Sequence, residues 1–314
     1  MDYLYLILGL ILLAVSSNFL VDSSVSLARH LKVSTLIIGI VIVSIGTSSP
    51  ELVVSIIAAL KGQADISLGN VIGSNIANIA LILGFTSIIL PISLKNHRIW
   101  IDWLIMIFAS LLLYFILFIN NELNVIWGFV FIIILSLYIL YLFINARKSN
   151  SKDVEVNVLK PKFSLLISLI IFVVSCLGLY FGADFLINSA VNIAKSFNIS
   201  ERIISLTVIA FGTSIPELSA SLVAAIKKET DISIGNIIGS NLFNILGILG
   251  VTSIVSFNKP IVPKEGFFVD IYWMLTISVL LLIPILLKKV NRISAIVFFL
   301  IYIIYVYLLI NPPA

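Results

Sequence analysis

Apolar runs of about 20 residues recur along the whole chain, separated by short clusters of charged or turn-forming residues. A helix of that length crosses the roughly 30 Å hydrocarbon core of a bilayer. Breaking the chain at the clusters predicts ten spans, at residues 3–27, 35–60, 66–90, 100–119, 124–145, 163–194, 203–226, 232–255, 268–287 and 293–310. The longest connection, "NARKSNSKDVEVNVLKPK", is polar throughout. It divides the chain into a first five-helix half at 1–145, a linker at 146–162 and a second five-helix half at 163–314. The predicted fold class is an all-α polytopic membrane protein with ten transmembrane helices.

Composition agrees with the pattern. The chain is 61% hydrophobic and 11% charged, with a mean hydropathy of +1.20, whereas about a quarter of the residues in a soluble domain are charged. The first run follows Asp2 without a basic leader or a small-residue cleavage site, so it reads as a retained span. Cys176 is the only cysteine, which excludes an intrachain disulfide. The net charge of +4 sits in short loops and is no nucleic-acid signature.

Those loop charges report orientation. Alternate loops on the side of the linker hold 14 of the 19 lysines and arginines, and the opposite loops hold five. The positive-inside rule then places the linker in the cytoplasm and both termini outside a cell membrane.

One segment occurs twice. "GTSSPELVVSIIAALKGQADISLGNVIGSNIANI" begins at Gly46 and "GTSIPELSASLVAAIKKETDISIGNIIGSNLFNI" at Gly212, identical at 21 of 34 positions with an ungapped offset of 166. Five spans per half is odd, so the second copy is expected to enter the membrane from the opposite side. Inverted repeats of this kind build many secondary transporters, with the ion site near the midplane.

The repeated segments carry polar groups inside apolar spans. Glu51 lies about 22 Å of helix past Leu36 and about 15 Å before Lys61, too deep for its carboxylate to reach water comfortably. Glu217 is its counterpart, and neither span holds a lysine or arginine at matching depth. An intramembrane carboxylate without a fixed countercharge needs a cavity, a partner or an exchangeable cation. Pro50 and Pro216 remove a backbone donor inside each span, which should free carbonyls around Ser44 to Thr47 and Ala210 to Thr213 beside the hydroxyls of Thr47, Ser48, Thr213 and Ser214. On the following span, Ser74 and Asn78 share a helical face, as do Ser240 and Asn244. Asn75 and Asn241 read equally as ligands or as packing and capping groups. An all-oxygen set without histidine or thiol suits hard cations such as Ca²⁺ or Na⁺. Two ionised glutamates balance one Ca²⁺ and leave one net positive charge with three Na⁺.

"GTSSPE" with "GNVIGSN", repeated as "GTSIPE" with "GNIIGSN", resembles the two alpha-repeats of the calcium/cation antiporter superfamily, nearest its prokaryotic sodium/calcium exchangers. The resemblance covers the ten-span layout. It implies alternating access, with the span that begins each half sliding against the other eight. It also implies a central ion cluster of Glu51, Asn78, Glu217 and Asn244. Around them it places Thr47, Ser48, Thr213, Ser214, Ser74 and Ser240, with the backbone carbonyls of Ser44 and Ala210. Asparagine at 244 resembles the potassium-independent exchangers, where potassium-dependent members have aspartate.

The expected activity is therefore Na⁺/Ca²⁺ antiport, electrogenic and K⁺-independent, with Ca²⁺/H⁺ antiport as the alternative. A cation channel fits poorly, since channels ring a pore with parallel copies. A membrane hydrolase lacks a nucleophile–base arrangement. No catalytic residue, cofactor, nucleic acid or protein partner is called for. The partners are Ca²⁺, Na⁺ and the lipid bilayer around a monomeric unit. Asp22, Asp65, Asp102, Asp231 and Asp270 read as ordinary acids at span ends, Asp184 as a helix terminus, and His30 and His97 as solvated loop residues.

Overall fold

A computed structural model describes residues 1–94, 96, 98–149, 160–197, 212–257, 259–263 and 267–311. Its helices are α1 (Asp2–Leu31), α2 (Thr35–Thr47), α3 (Ser49–Leu60), α4 (Ile66–Ile89), α5 (Ile99–Asn120), α6 (Val125–Ser149), α7 (Leu165–Ser196), α8 (Ile215–Ile226), α9 (Thr230–Val255), α10 (Phe267–Leu286) and α11 (Arg292–Ile310). Among the described residues eight helices are long and apolar enough to cross a membrane, or nine with the bent pair α2–α3 taken as one span. The predicted span at 203–226 has only α8 within the described residues, because 203–211 lie outside them.

Elsewhere the observed ends fall within a few residues of the hydropathy limits. Side-chain caps explain several of them. Ser34 accepts from the Ile37 N–H at the start of α2, Ser164 from Ile167 at α7, and Asn291 from Ser294 at α11. The main departure is at 35–60, which is two helices meeting at 48°. The first span is also longer than expected, running to Leu31, so His30 lies in helix.

Two apolar clusters hold the fold together. The larger draws on the start of α2 and on α4, α5, α6, α9, α10 and α11. The smaller joins α1 and α7 to α2 and α8. Both clusters therefore contain residues from either side of the linker. Helices α4 and α9 are the most enclosed spans, 78% and 83% buried over an apolar stretch, against 17% for α11. Their burial explains why these two spans tolerate so many polar residues: those side chains face protein, not lipid.

Helices α1 and α7 lie against each other along their length through small residues. A Cβ on Gly9 would come within 2.8 Å of the Gly182 carbonyl, and one on Gly178 would strike the Ser16 hydroxyl. Close approach at small residues is the usual basis of helix association in lipid. Their outer faces, including Leu4, Ile11, Leu166 and Val174, are exposed apolar surface.

The end of α1 is tied to the start of α7 and to the end of α8. Arg29 donates to the Lys160 carbonyl and His30 Nε2 lies 2.8 Å from the Phe163 carbonyl. Asp22 pairs with both Lys162 (2.6 Å) and Lys227 (2.5 Å). Asp22 and His30 are thus bonded groups where the sequence suggested ordinary solvated ones; His97 lies outside the described residues. A two-residue antiparallel pairing, Ile92–Ser93 with Lys289–Val290, closes the end of α4 against the turn between α10 and α11.

Candidate ion site

The two copies of the repeated segment fold into the same local elements. Helices α3 and α8 start and end 166 residues apart. Each begins with a proline at its second position, and at Pro50 the missing N–H and bulky ring prevent α2 from continuing. Ser48 (φ −88°, ψ 10°) and Ser214 (φ −88°, ψ 3°) carry the departure from helical geometry. Proline at 50 leaves the Gly46 carbonyl without its usual helical donor. The Ser44 carbonyl, by contrast, accepts from the Ser48 N–H at 2.9 Å and lies 3.3 Å from Thr47 Oγ1.

A second irregularity lies on the enclosed helices. α4 passes through a π-helical stretch at Ala77–Leu83, and α9 through one at Phe243–Ile248. Asn78 and Asn244 are the second residues of these stretches. Such wider turns interrupt the regular backbone ladder and recur at functional sites.

These breaks gather polar side chains in the interior. Glu51 is 1% exposed and Glu217 2%, and Asn78, Asn244, Thr47, Ser48, Ser74, Ser214 and Ser240 are buried. Thr213 is half-buried. Ala210 lies outside the described residues.

Hydrogen bonds cross between the copies. Ser48 Oγ donates to Glu217 Oε1 at 2.7 Å and lies 3.1 Å from Ser240 Oγ. Thr47 Oγ1 donates to Asn236 Oδ1 at 3.1 Å. Glycine makes this reach possible. A Cβ on Gly239 would strike the Ile40 carbonyl oxygen, and one on Gly235 would lie 2.6 Å from that of Leu36. Only bare backbone on α9 lets α2 approach this closely.

Five oxygens in this region are buried without any hydrogen-bond partner: Glu51 Oε2, Glu217 Oε2, Asn78 Oδ1, Asn244 Oδ1 and Ser214 Oγ. Buried polar atoms are normally satisfied. Two of them are carboxylate oxygens and three are amide or hydroxyl oxygens, the donor types that hard cations take. No group of three or more His, Cys, Asp or Glu side chains arranged for a metal ion occurs among the described residues. An apolar groove of about 600 Å³ lies on the other face of the α2–α3 break, between Ile45, Pro50 and Val53 and the Phe172–Cys176 side of α7. It contains none of these oxygens.

Residues 1–146 and 167–311 match the family described as sodium/calcium exchanger protein. The chain belongs to the sodium/calcium exchanger family. Among its relatives, the sodium/calcium exchanger MaX1 of Methanosarcina acetivorans is 30% identical, with 90% of each chain covered. The putative antiporter CaxA of Alkalimonas amylolytica is 34% identical over 98% of both chains. A solved structure of the sodium-calcium exchanger NCX_Mj, soaked with zero Na⁺ and Ca²⁺, superposes with a TM-score of 0.82 at 33% identity, covering 98% of both chains. The mostly helical membrane fold of this family member is therefore that of a known exchanger.

Several contributors to the exchanger's polar interior have no separate place in the hydropathy pattern. Asn70 Nδ2 donates to the Glu51 carbonyl and to Ser55 Oγ, and Asn236 Nδ2 donates to Ser221 Oγ. Their signal is the repeated "GN" together with Ser55 and Ser221 at the same offset. Asp102, at a span end, is fully buried and accepts from Tyr138 at 2.9 Å, while Asp270 accepts from Tyr305 at 3.1 Å. These acids brace helices and are not solvated loop groups.

Proposed function

We propose that this chain exchanges Na⁺ for Ca²⁺ across the cell membrane by alternating access, electrogenically and without K⁺. The observation that carries the reading is the set of five unpartnered buried oxygens, centred on Glu51, Asn78, Glu217 and Asn244. Their cost is offset when a desolvated cation takes the place of water. Thr47, Ser48, Thr213, Ser214, Ser74 and Ser240 complete the ligand set, with the carbonyls of Ser44 and Ala210.

Family membership supports Na⁺ as the counter-ion over H⁺. The charge of two glutamates supports a current, because one Ca²⁺ neutralises them and three Na⁺ overcompensate by one. Asparagine at 244, in place of a third acid, supports independence from K⁺. The 166-residue repeat and the loop charges support two inverted five-helix halves, 1–145 and 163–314, with a cytoplasmic linker at 146–162 and extracellular termini.

Reconstitution of the full chain into Na⁺-loaded liposomes tests this. Dilution into Na⁺-free buffer should drive Ca²⁺ uptake, faster at an inside-positive potential because net positive charge leaves with Na⁺. Omitting K⁺ at zero potential should leave the rate unchanged. Uptake that ignores Na⁺ and follows a pH gradient would overturn the proposal.

A further inference from the structure

Asn75 and Asn241 occupy the same place in the two copies of the repeat, 166 residues apart, and each is 1% exposed. Neither offers a free oxygen to the site. Asn75 Oδ1 accepts from Asn244 Nδ2 at 3.0 Å, and Asn241 Oδ1 accepts from Asn78 Nδ2 at 3.0 Å. Each asparagine therefore holds the amide of the other half.

The two ends of a carboxamide are nearly equal in shape, so its neighbours decide which end points where. Here the decision starts from atoms that can only accept. Asn241 Nδ2 lies 3.5 Å from Met106 Sδ. Asn75 Nδ2 lies 3.7 Å from Met274 Sδ and 3.3 Å from the Asn241 backbone carbonyl. A thioether or a carbonyl can receive a hydrogen but cannot supply one. The amide nitrogens of Asn75 and Asn241 must face them, and both Oδ1 atoms must face away. Those oxygens in turn can only receive, so Asn78 and Asn244 must present Nδ2 to them. The Oδ1 atoms of Asn78 and Asn244 are then left over, and these are the two amide oxygens without a partner. Reversing either amide would set oxygen against oxygen and aim an NH₂ group at an incoming cation.

We infer that Asn75 and Asn241 are positioning residues, which lock Asn244 and Asn78 with oxygen toward the ion, and that Met106 and Met274 set the direction of the lock. This rests on the reading that Asn78 and Asn244 ligate the transported cation. The thioethers mark the arrangement in sequence as well: each follows an aspartate by four residues, Asp102 before Met106 and Asp270 before Met274.

The test is Ca²⁺ binding to the purified full-length protein by calorimetry, alongside Na⁺-driven Ca²⁺ uptake. Asn75→Leu and Asn241→Leu free the partner amide to turn, and each should raise the Ca²⁺ Kd and KM about tenfold or more while leaving the maximal rate within about twofold. A carboxylate has no wrong end, so in an Asn78→Asp background Asn241→Leu should cost less than about twofold. A merely structural asparagine would cost the same in both backgrounds, and that result overturns the inference. Unchanged Kd in both leucine variants also overturns it. Should those variants not fold, the volume-conserving double variant Met106→Leu/Met274→Leu decides, with a rise in Kd of about threefold expected and no change refuting it. Absence of Ca²⁺ binding to the unmodified chain would sink the transport reading and this inference together, whereas normal binding there with unaltered variants sinks the inference alone.

Discussion

Ser48 donates its hydroxyl hydrogen to Glu217, 2.7 Å away across 169 residues of sequence. The bond joins the break between α2 and α3 to the acid of α8, so the first half supplies part of the carboxylate environment of the second. A hydrogen bond to a buried charged group is worth about 1.5–3 kcal/mol. Replacing Ser48 by alanine should therefore raise the Ca²⁺ KM at least about tenfold without loss of folded protein. Uptake kinetics in liposomes measure this, and an unchanged KM would remove Ser48 from the site.

In the proposed ion cluster Glu51 and Glu217 supply the negative charge. Glutamine at either position keeps the shape but loses the charge that a divalent ion needs. Glu51→Gln and Glu217→Gln should each bring Na⁺-driven Ca²⁺ uptake close to background. Near-normal uptake by both variants would refute the assignment of the acids.

At Gly239 α9 approaches α2 so closely that a Cβ would strike the Ile40 carbonyl oxygen. Backbone cannot yield as a flexible side chain does. Gly239→Ala should push the helices apart, lengthen the Ser48–Ser240 contact and lower the midpoint of thermal unfolding by several degrees, at a cost of about 1–3 kcal/mol for overpacking. A melting curve in detergent that matches the unmodified protein would contradict the close approach.

Asp22 ties α1 to Lys227 at the end of α8 and to Lys162 before α7. Its carboxylate is only partly shielded, 21% exposed, so the expected worth is near the upper end for surface pairs, about 1 kcal/mol. Asp22→Asn should lower the unfolding midpoint by about 2 °C in dilute buffer. The difference should shrink in 1 M salt, where the Debye length is about 3 Å. A deficit independent of salt would assign the loss to packing.

The span limits were legible in sequence because hydropathy depends on the local chain alone. Glu51 and Glu217 stood out for the same reason, as charges without a route to water. The kink at 48 was half legible: Pro50 announced a break, while its 48° angle depends on what α2 and α3 pack against. The π-helical turns at Asn78 and Asn244 were not legible, since nothing in "NVIGSNIAN" separates a wider turn from a regular one. Nor were the thioether contacts of Asn75 and Asn241, or the pairing of α1 with α7. Those depend on which face of one helix meets which face of another, and a repeat at a fixed offset does not say whether a residue pairs with its own copy or with a neighbour.

The contacts Ser48–Glu217, Thr47–Asn236, Asn78–Asn241 and Asn75–Asn244 all cross the linker. A ribosome delivers the first half to the bilayer with every one of these partners still unmade. Ser48, Thr47, Asn78 and Asn75 therefore lack these partners until the second half arrives. Residues 1–150 expressed alone should be degraded rapidly, and co-expression with residues 157–314 should restore both fragments. Accumulation of the first fragment by itself would show that it folds unaided. In the cell, the linker is then the segment whose translation separates a half-made chain from a finished one.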